Sequence, residues 1–231
     1  MTDHMQLVIF IGPPGSGKDT QANRLVEEYG FVQVPSSKII RAKFAANPDD
    51  PVIVREKKIF DEGKLNNPAL VSEWILEFVR PLAAQGKSLV FSGSPRTPHE
   101  GEVELPVLQE LYGRENIILI YLAIDFEEIK KRIADRRFCK ANGHPIPGAP
   151  EFAHLTACPQ DGSPLERRAL DDPHLIQTRM EEFRTLTRPI VDIAEKFGIP
   201  VFTIDGKQSI EAVHHDVVAL IERRATPAPQ E

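Results

Sequence analysis

Gly12-Pro13-Pro14-Gly15-Ser16-Gly17-Lys18-Asp19-Thr20 is the stretch whose residue types and spacing most directly suggest chemistry. Its glycines let backbone N–H groups converge on an anion, and the helix start that follows adds partial positive charge. Lys18 is spaced to reach the outer phosphates of a nucleotide. The flanks suit such a loop. Leu7-Val8-Ile9-Phe10-Ile11 precedes it as a candidate buried strand, and Gln21-Ala22-Asn23-Arg24-Leu25-Val26 continues it as a candidate helix. The plain alternative is a glycine-rich turn that only links two elements; the lysine in register, with strand and helix on the correct sides, argues against it. One position departs from the common pattern. Gly-x4-Gly-Lys is usually followed at once by a Ser or Thr whose hydroxyl touches magnesium, but here Asp19 intervenes and Thr20 comes one residue late.

Other groups with chemical potential lie downstream. On a helical pattern with Phe126, Ile129 and Ile133 as its apolar stripe, Arg132 and Arg136 fall one turn apart on a neighbouring line, a pair able to grip phosphate. Phe138 to Ala169 then turns to Gly, Pro, His and Cys with little periodicity, a stretch too long for an ordinary connection and so expected to be functional. Cys139 and Cys158 cannot make a disulfide framework, and in a reducing compartment metal binding is the more natural use.

The elements that must position these groups are readable. Apolar runs at Leu7–Ile11, Phe31–Val34, Leu89–Phe91, Ile117–Leu122 and Val201–Ile204 alternate with helical patterns, which predicts an α/β fold with a five-stranded parallel sheet flanked by helices. Ligands of such sheets bind beyond the carboxyl ends of the strands, where the phosphate loop, Ser92 to Arg96 and Asp205-Gly206 all fall. Pro35 to Ala84 reads as a broken helical insertion, with stops at Asn47-Pro48-Asp49-Asp50-Pro51 and Asn66-Asn67-Pro68. A helical pattern resumes from Asp171 through Ile176, Met180, Phe183, Ile190, Ile193 and Phe197 with a kink expected at Pro189, and Thr226–Glu231 reads as a disordered tail.

Bulk properties narrow the function classes. The 231 residues, 41% apolar and 27% charged, are an ordinary globular composition with room for a real core. A formal charge of -6 argues against a protein that wraps nucleic acid but leaves room for a local basic cleft holding small-molecule nucleotides. Neither a signal segment nor an apolar run of membrane-spanning length is seen, so no membrane association, a cytoplasmic location and a monomer are the expectations.

Taken in order, these segments resemble a nucleoside monophosphate kinase of the adenylate kinase family. The matching stretches are Gly12 to Gln21, Ser36-Ser37-Lys38-Ile39-Ile40-Arg41, Gly63-Lys64-Leu65, Gly93-Ser94-Pro95-Arg96-Thr97, Arg132 to Arg137, the cysteine-bearing segment, Asp171-Asp172 through Arg179, and Asp205-Gly206. The resemblance implies a P-loop core (1–35, 85–137 and 170–225), a helical monophosphate-binding insertion (36–84) and a mobile lid (138–169), with 226–231 as the tail. It also implies magnesium-dependent transfer between ATP and AMP. Carried over by residue, the ATP side is Gly15, Ser16, Gly17, Lys18, Asp19, Thr20, Arg132, Arg136 and Gln208. The monophosphate side is Ser36, Arg41, Leu65, Asn66, Gly93, Arg96 and Glu100, and the catalytic set is Lys18, Arg96, Arg132, Arg168 and Arg179. Phosphoryl transfer leaves the protein mainly positioning and charge neutralisation, which an arginine array supplies.

The cysteine segment resembles the family's zinc-bearing lid, with Asn142 in place of one thiol. Cys139, His144, Cys158 and Asp161 then offer two sulfurs, a nitrogen and an oxygen for structural zinc, or else a hydrogen-bonded clasp without metal. Two further departures bear on mechanism. Ser92 stands where the family has an aspartate that helps hold the magnesium shell, and Asp19 is expected to restore that contact or simply to complement its helix N-terminus. Glu100 stands where the family has a glutamine that reads adenine. An ionised carboxylate only accepts, which would favour guanine unless Glu100 points away. A catalytically weak nucleotide-binding module and a kinase for another small acceptor are the rival readings.

Overall fold

A buried parallel sheet carries the molecule because its central strand is apolar on both faces. The computed structural model describes residues 5–148, 150–167 and 173–225. Strands β1 (Leu7–Ile11), β2 (Val32–Val34), β3 (Leu89–Phe91), β4 (Ile117–Ala123) and β8 (Val201–Asp205) pair in parallel in the order β2-β3-β1-β4-β8. All five apolar runs expected from sequence are therefore strands of one sheet. Along β1 the side chains divide with a period of two. Leu7, Ile9 and Ile11 face one core with Ile75, Leu105 and Ile190, whereas Val8 and Phe10 face a second with Leu25, Val213 and Val217. This is the continuous apolar signature of a strand covered on both sides.

Helix α1 (Lys18–Tyr29) leaves the phosphate loop and packs on α9 (Ile210–Ala225). Between β2 and β3 lie α2 (Ser36–Ala46), α3 (Pro51–Asp61) and α4 (Pro68–Ala84). The stops read in the sequence are caps. Asp50 accepts from Val52 and Ile53 N–H, Asn67 accepts from Ala69 N–H, and a proline occupies the first turn of each helix, where its missing N–H costs nothing. The turn between α3 and α4 is braced by Glu56, buried, which accepts from the Asn66 amide at 3.0 Å and the Asn67 N–H at 2.8 Å. Farther along, α4 buries Ile75 and Val79 in the sheet core and packs on α5 (Pro98–Tyr112), so the insertion runs continuously into the core.

Helix α6 (Phe126–Ala134) buries Ile129 and Ile133 as its pattern predicts, but Phe126 is exposed, with the Lys130 ammonium 4.5 Å from its ring. The apolar stripe thus begins one turn later than read. Beyond α6 an antiparallel sheet of β5 (Arg137–Cys139), β6 (Pro145–Ile146) and β7 (Leu165–Glu166) gives order to a stretch without sequence periodicity; strands of two or three residues are too short to show one. Next come α7 (Pro173–Glu182) and α8 (Ile190–Lys196). The kink expected at Pro189 is a π turn over Phe183–Thr187, closed by Arg188 N–H to the Phe183 carbonyl at 2.8 Å, with α8 restarting after the proline. The tail read over Thr226–Glu231 lies outside the described residues. Among the described residues no helix is long and apolar enough to cross a membrane.

Candidate active site

The loop after β1 has the backbone its glycines permit. Gly15 and Gly17 adopt φ values of 80° and 98°, a region L side chains rarely enter, and a Cβ on Gly15 would meet Ile133 of α6 at 3.1 Å. Gly12 is constrained differently: a Cβ there would lie 2.6 Å from the Ser16 hydroxyl. Lys18 curls back over the loop and donates to the carbonyls of Gly12 at 2.6 Å and Pro13 at 2.9 Å, and to Ser16 Oγ at 3.3 Å. Burial pushes the Lys18 ammonium down to about 7; Asp19 opposes this, while the charges of Arg96, Arg179 and Arg136 add to it. The charges of Arg96 from the loop after β3, Arg136 from the α6 exit and Arg179 from α7 therefore all reach Lys18.

A cleft of about 420 Å³ opens beside this loop. Its walls include Gly15 to Gln21, Arg132, Arg136, Gly206 and Gln208 to Ile210, together with Pro145, Pro147, Gly148 and Glu151 of the segment read from sequence as a lid. The predicted ATP-side residues Gly15, Ser16, Gly17, Lys18, Asp19, Thr20, Arg132, Arg136 and Gln208 thus share one wall-to-wall space. Arg132 and Arg136 differ in their surroundings. Arg132 Nε is paired with Glu128 at 2.9 Å, whereas Arg136 lies past the helix end with its guanidinium 5.1 Å from the Phe138 ring. Gln208 is held by its amide, which donates to the Asp205 carbonyl at 3.2 Å and to Asp216 at 3.0 Å. Arg168, with the Asp171-Asp172 pair that registers it, lies outside the described residues.

On the opposite side, Gly93 lets the Arg96 guanidinium and Ser36 approach the backbone. A Cβ at Gly93 would stand 3.2 Å from Ser36 Oγ and 3.4 Å from Arg96 Nη2. Ser36 Oγ is buried and, among the described residues, has no hydrogen-bond partner, which leaves it able to bond a ligand atom. Arg41 is exposed, with its guanidinium 5.3 Å from the Phe60 ring. Leu65 lies at the α3–α4 turn, where Glu182 of α7 accepts its N–H. The Asn66 amide is taken up by Glu56, so its side chain braces the turn. Glu100 is turned inward: one oxygen accepts from Thr97 Oγ1 at 3.0 Å, the other from Arg96 N–H at 2.7 Å. Burial raises its pKa, a shift the Arg96 N–H partly offsets.

Two sequence departures meet in space. Ser92 Oγ donates to Asp19 Oδ1 at 2.7 Å, and Gln33 Nε2 of β2 donates to Ser92 Oγ at 3.2 Å, so the exposed Asp19 carboxylate is tethered across the mouth of the loop. In the lid region the four predicted metal ligands Cys139, His144, Cys158 and Asp161 have their donor atoms all within 4.8 Å of one another. Cys139 Sγ is 3.0 Å from Asp161 Oδ2, and His144 Nδ1 is 3.4 Å from Cys158 Sγ and 3.3 Å from Asp161 Oδ2. A tetrahedral zinc shell has ligand-to-ligand edges of about 3.3 to 3.8 Å, so only a small adjustment separates the two. Each cysteine begins a tight turn ended by a glycine at φ 72°, Gly143 and Gly162, whose N–H bonds the cysteine carbonyl at 2.8 Å. Asn142, in place of a further thiol, donates its amide to Asp161 at 2.8 Å.

Sequence reasoning missed Gln33, Glu56, Glu104 and Glu182, which hold site residues without facing the cleft. Only Glu104 carried a local signal, an acid four residues after Glu100 and so on the same helix face.

A family model described as adenylate kinase matches residues 10–199. An adenylate kinase of Sphingopyxis alaskensis is 34% identical over 218 residues, covering 93% of this chain and 96% of its own. Adenylate kinases of Novosphingobium aromaticivorans and Archaeoglobus fulgidus are 32% and 30% identical over 219 residues, each covering 94% of this chain and 99% and 98% of their own.

Lys18, neutral above about 7, must regain its proton to meet phosphate oxygens. Calorimetry of ATP binding at pH 8 in buffers of different ionisation enthalpy should therefore report proton uptake, and affinity should fall as pH rises from 7 to 9. Binding heats independent of buffer, with affinity flat over that range, would show that Lys18 stays charged throughout.

Proposed function

Because the chain belongs to the adenylate kinase family of phosphotransferases, we propose that it moves the terminal phosphoryl group of ATP onto AMP, yielding two ADP, with magnesium as companion cation. The observation that carries this reading is the gathering of Lys18, Arg96, Arg136 and Arg179 at one edge of the sheet. Two nucleotide phosphate chains meeting end to end bring many negative charges together, and the transferring group is held by surrounding cations and N–H donors rather than by covalent chemistry. The loop N–H groups and Lys18 take the ATP phosphates. Arg96 and Arg41 take the acceptor phosphate, with the buried Ser36 hydroxyl beside Arg96 as a further donor. Closure of the lid over the cleft would exclude water, which otherwise competes with AMP as acceptor.

The residues fit a magnesium ion. Asp19 presents an exposed carboxylate next to Thr20 at the loop mouth, and Ser92 backed by Gln33 fixes its direction. Magnesium arriving with the nucleotide would neutralise phosphate charge there. In the lid, Cys139, His144, Cys158 and Asp161 fit zinc in donor type and spacing, and with all four positions filled by protein the ion would be structural. Zinc would hold the two turns together so that the lid moves as a unit.

AMP is favoured over GMP as acceptor. The relatives carry the name adenylate kinase, and both Glu100 oxygens are engaged by Thr97 and Arg96 of their own loop rather than presented to a base.

A coupled assay of phosphoryl transfer from magnesium ATP to AMP, GMP, CMP and UMP in parallel tests this reading. AMP should turn over fastest, and Asp19→Asn should lose about tenfold or more in kcat with a raised magnesium requirement. Equal turnover of all four acceptors, or an Asp19→Asn enzyme with an unchanged magnesium response, would refute the corresponding part. For the lid, purified protein should carry close to one zinc per chain, and chelation should lower Tm by about 5 °C or more. A Tm indifferent to chelator and to Cys158→Ser would leave the hydrogen-bonded clasp as the answer.

A further inference from the structure

Behind the loop Gly93–Thr97 lie two carboxyl groups that none of the roles above accounts for together. Glu100 and Glu104, one turn apart on α5, are 2% and 0% exposed. Among the described residues Glu104 makes no ion pair; it meets hydroxyls, Ser72 Oγ of α4 at 3.1 Å and Ser94 Oγ at 3.1 and 2.9 Å from its two oxygens. Ser94 Oγ also stands 3.4 Å from Glu100 Oε2. The Ser94 hydroxyl has one hydrogen and faces both carboxyls, so with both ionised it could serve only one of them, and two like charges would be buried side by side. Glu100 has donors of its own, the Arg96 N–H at 2.7 Å and the Thr97 hydroxyl at 3.0 Å. Hydrogen-bond accounting therefore puts the shared charge on Glu100 and a proton on Glu104. Every donor is then used once: Ser72 to Glu104, Glu104 to Ser94, and Ser94, the Thr97 hydroxyl and the Arg96 N–H to Glu100.

We propose that Glu104, as a neutral acid, is a positioning residue of the monophosphate subsite: through Ser94 it fixes Glu100, which holds the Arg96 backbone and so sets where the Arg96 guanidinium meets the acceptor phosphate. This rests on the reading that Arg96 binds that phosphate. The same loop is held by Thr187 of the π turn, which donates to the Arg96 carbonyl at 2.8 Å, so the peptide groups on both sides of the Arg96 Cα are pinned. The groups bonded to the pair are Ser72 from α4 and Ser94, Arg96 and Thr97 from the loop. Of these the Arg96 cation acts on Glu100. Burial, with the Glu100 charge second, pushes Glu104 up to about 8. Above that pH Glu104 ionises, Ser94 turns its hydrogen to Glu104, and Glu100 loses a donor.

The test is KM for AMP and for ATP measured from pH 6.5 to 9.5, with AMP binding alone followed by calorimetry. In the wild-type chain KM for AMP should rise roughly fivefold across pH 8 to 9.5. Glu104→Gln keeps one donor and one acceptor and should make the AMP profile flat over that range, whereas Ser94→Ala should raise KM for AMP at pH 7 with little change in KM for ATP. A rise that persists in Glu104→Gln, or a wild-type AMP profile that is already flat, overturns the proposal. Arg96→Ala separates the two levels. If it leaves AMP binding intact, the assignment of Arg96 itself is wrong; if it abolishes binding while Glu104→Gln and Ser94→Ala do nothing, only the positioning role is wrong.

Discussion

Mutual repulsion among cations is the constraint on which this structure turns. A site built to hold two phosphate chains must collect positive charge before either nucleotide arrives, and those charges raise one another's energy in a cleft partly removed from water. The pKa of Lys18 is depressed chiefly by burial; Asp19 opposes this, and the charges of Arg96, Arg179 and Arg136 add to it. The ammonium is accommodated meanwhile by loop carbonyls at 2.6 and 2.9 Å, partners that phosphate oxygens can replace.

Much of the remaining architecture supplies the backbone that keeps those cations in place. The sheet buries β1 on both faces, so the loop leaving it starts from a fixed point, and the left-handed glycines 15 and 17 turn it back onto helix α1. Arg96 is pinned through its backbone, its N–H by Glu100 and its carbonyl by Thr187. The Leu65 turn is tied to α7 by Glu182 and within the insertion by Glu56. Acids thus do two kinds of work: Asp19 is exposed at the loop, whereas Glu56, Glu100 and Glu182 accept backbone N–H groups and Glu104 meets the Ser72 and Ser94 hydroxyls behind them.

What the sequence disclosed follows from the kind of signal each feature leaves. The central strands β1, β3 and β4 were legible because a doubly covered strand is apolar nearly throughout, β2 and β8 as short runs alternating with helical patterns, and the phosphate loop because glycine and lysine spacing is dictated by the anion. The zinc-type cluster was legible because ligand chemistry restricts residue types, although the knuckle turns and the three short lid strands were not, being too brief for any period to show. Phe126 sits outside the stripe read as beginning with it, since residues 125–127 at the start of α6 are exposed and burial begins at Ile129. Hardest to foresee was where side chains point. Asn66 and Glu100 occupy positions that the resemblance gives to the monophosphate, yet their polar atoms are turned to Glu56 and to the Arg96 loop. The meeting of Ser92 with Asp19 depends on β3 lying beside β1, a pairing between residues 73 positions apart.

The central claim is that one array of cations holds both nucleotides at once. The most direct measurement is calorimetric binding of a dinucleotide in which two adenosines are joined by five phosphates, spanning both subsites. One molecule should bind per chain, far more tightly than ATP or AMP alone, and both Lys18→Met and Arg96→Ala should abolish that advantage. A dinucleotide that binds no more tightly than ATP, or that ignores Arg96→Ala, would mean that the two subsites are not joined through these residues.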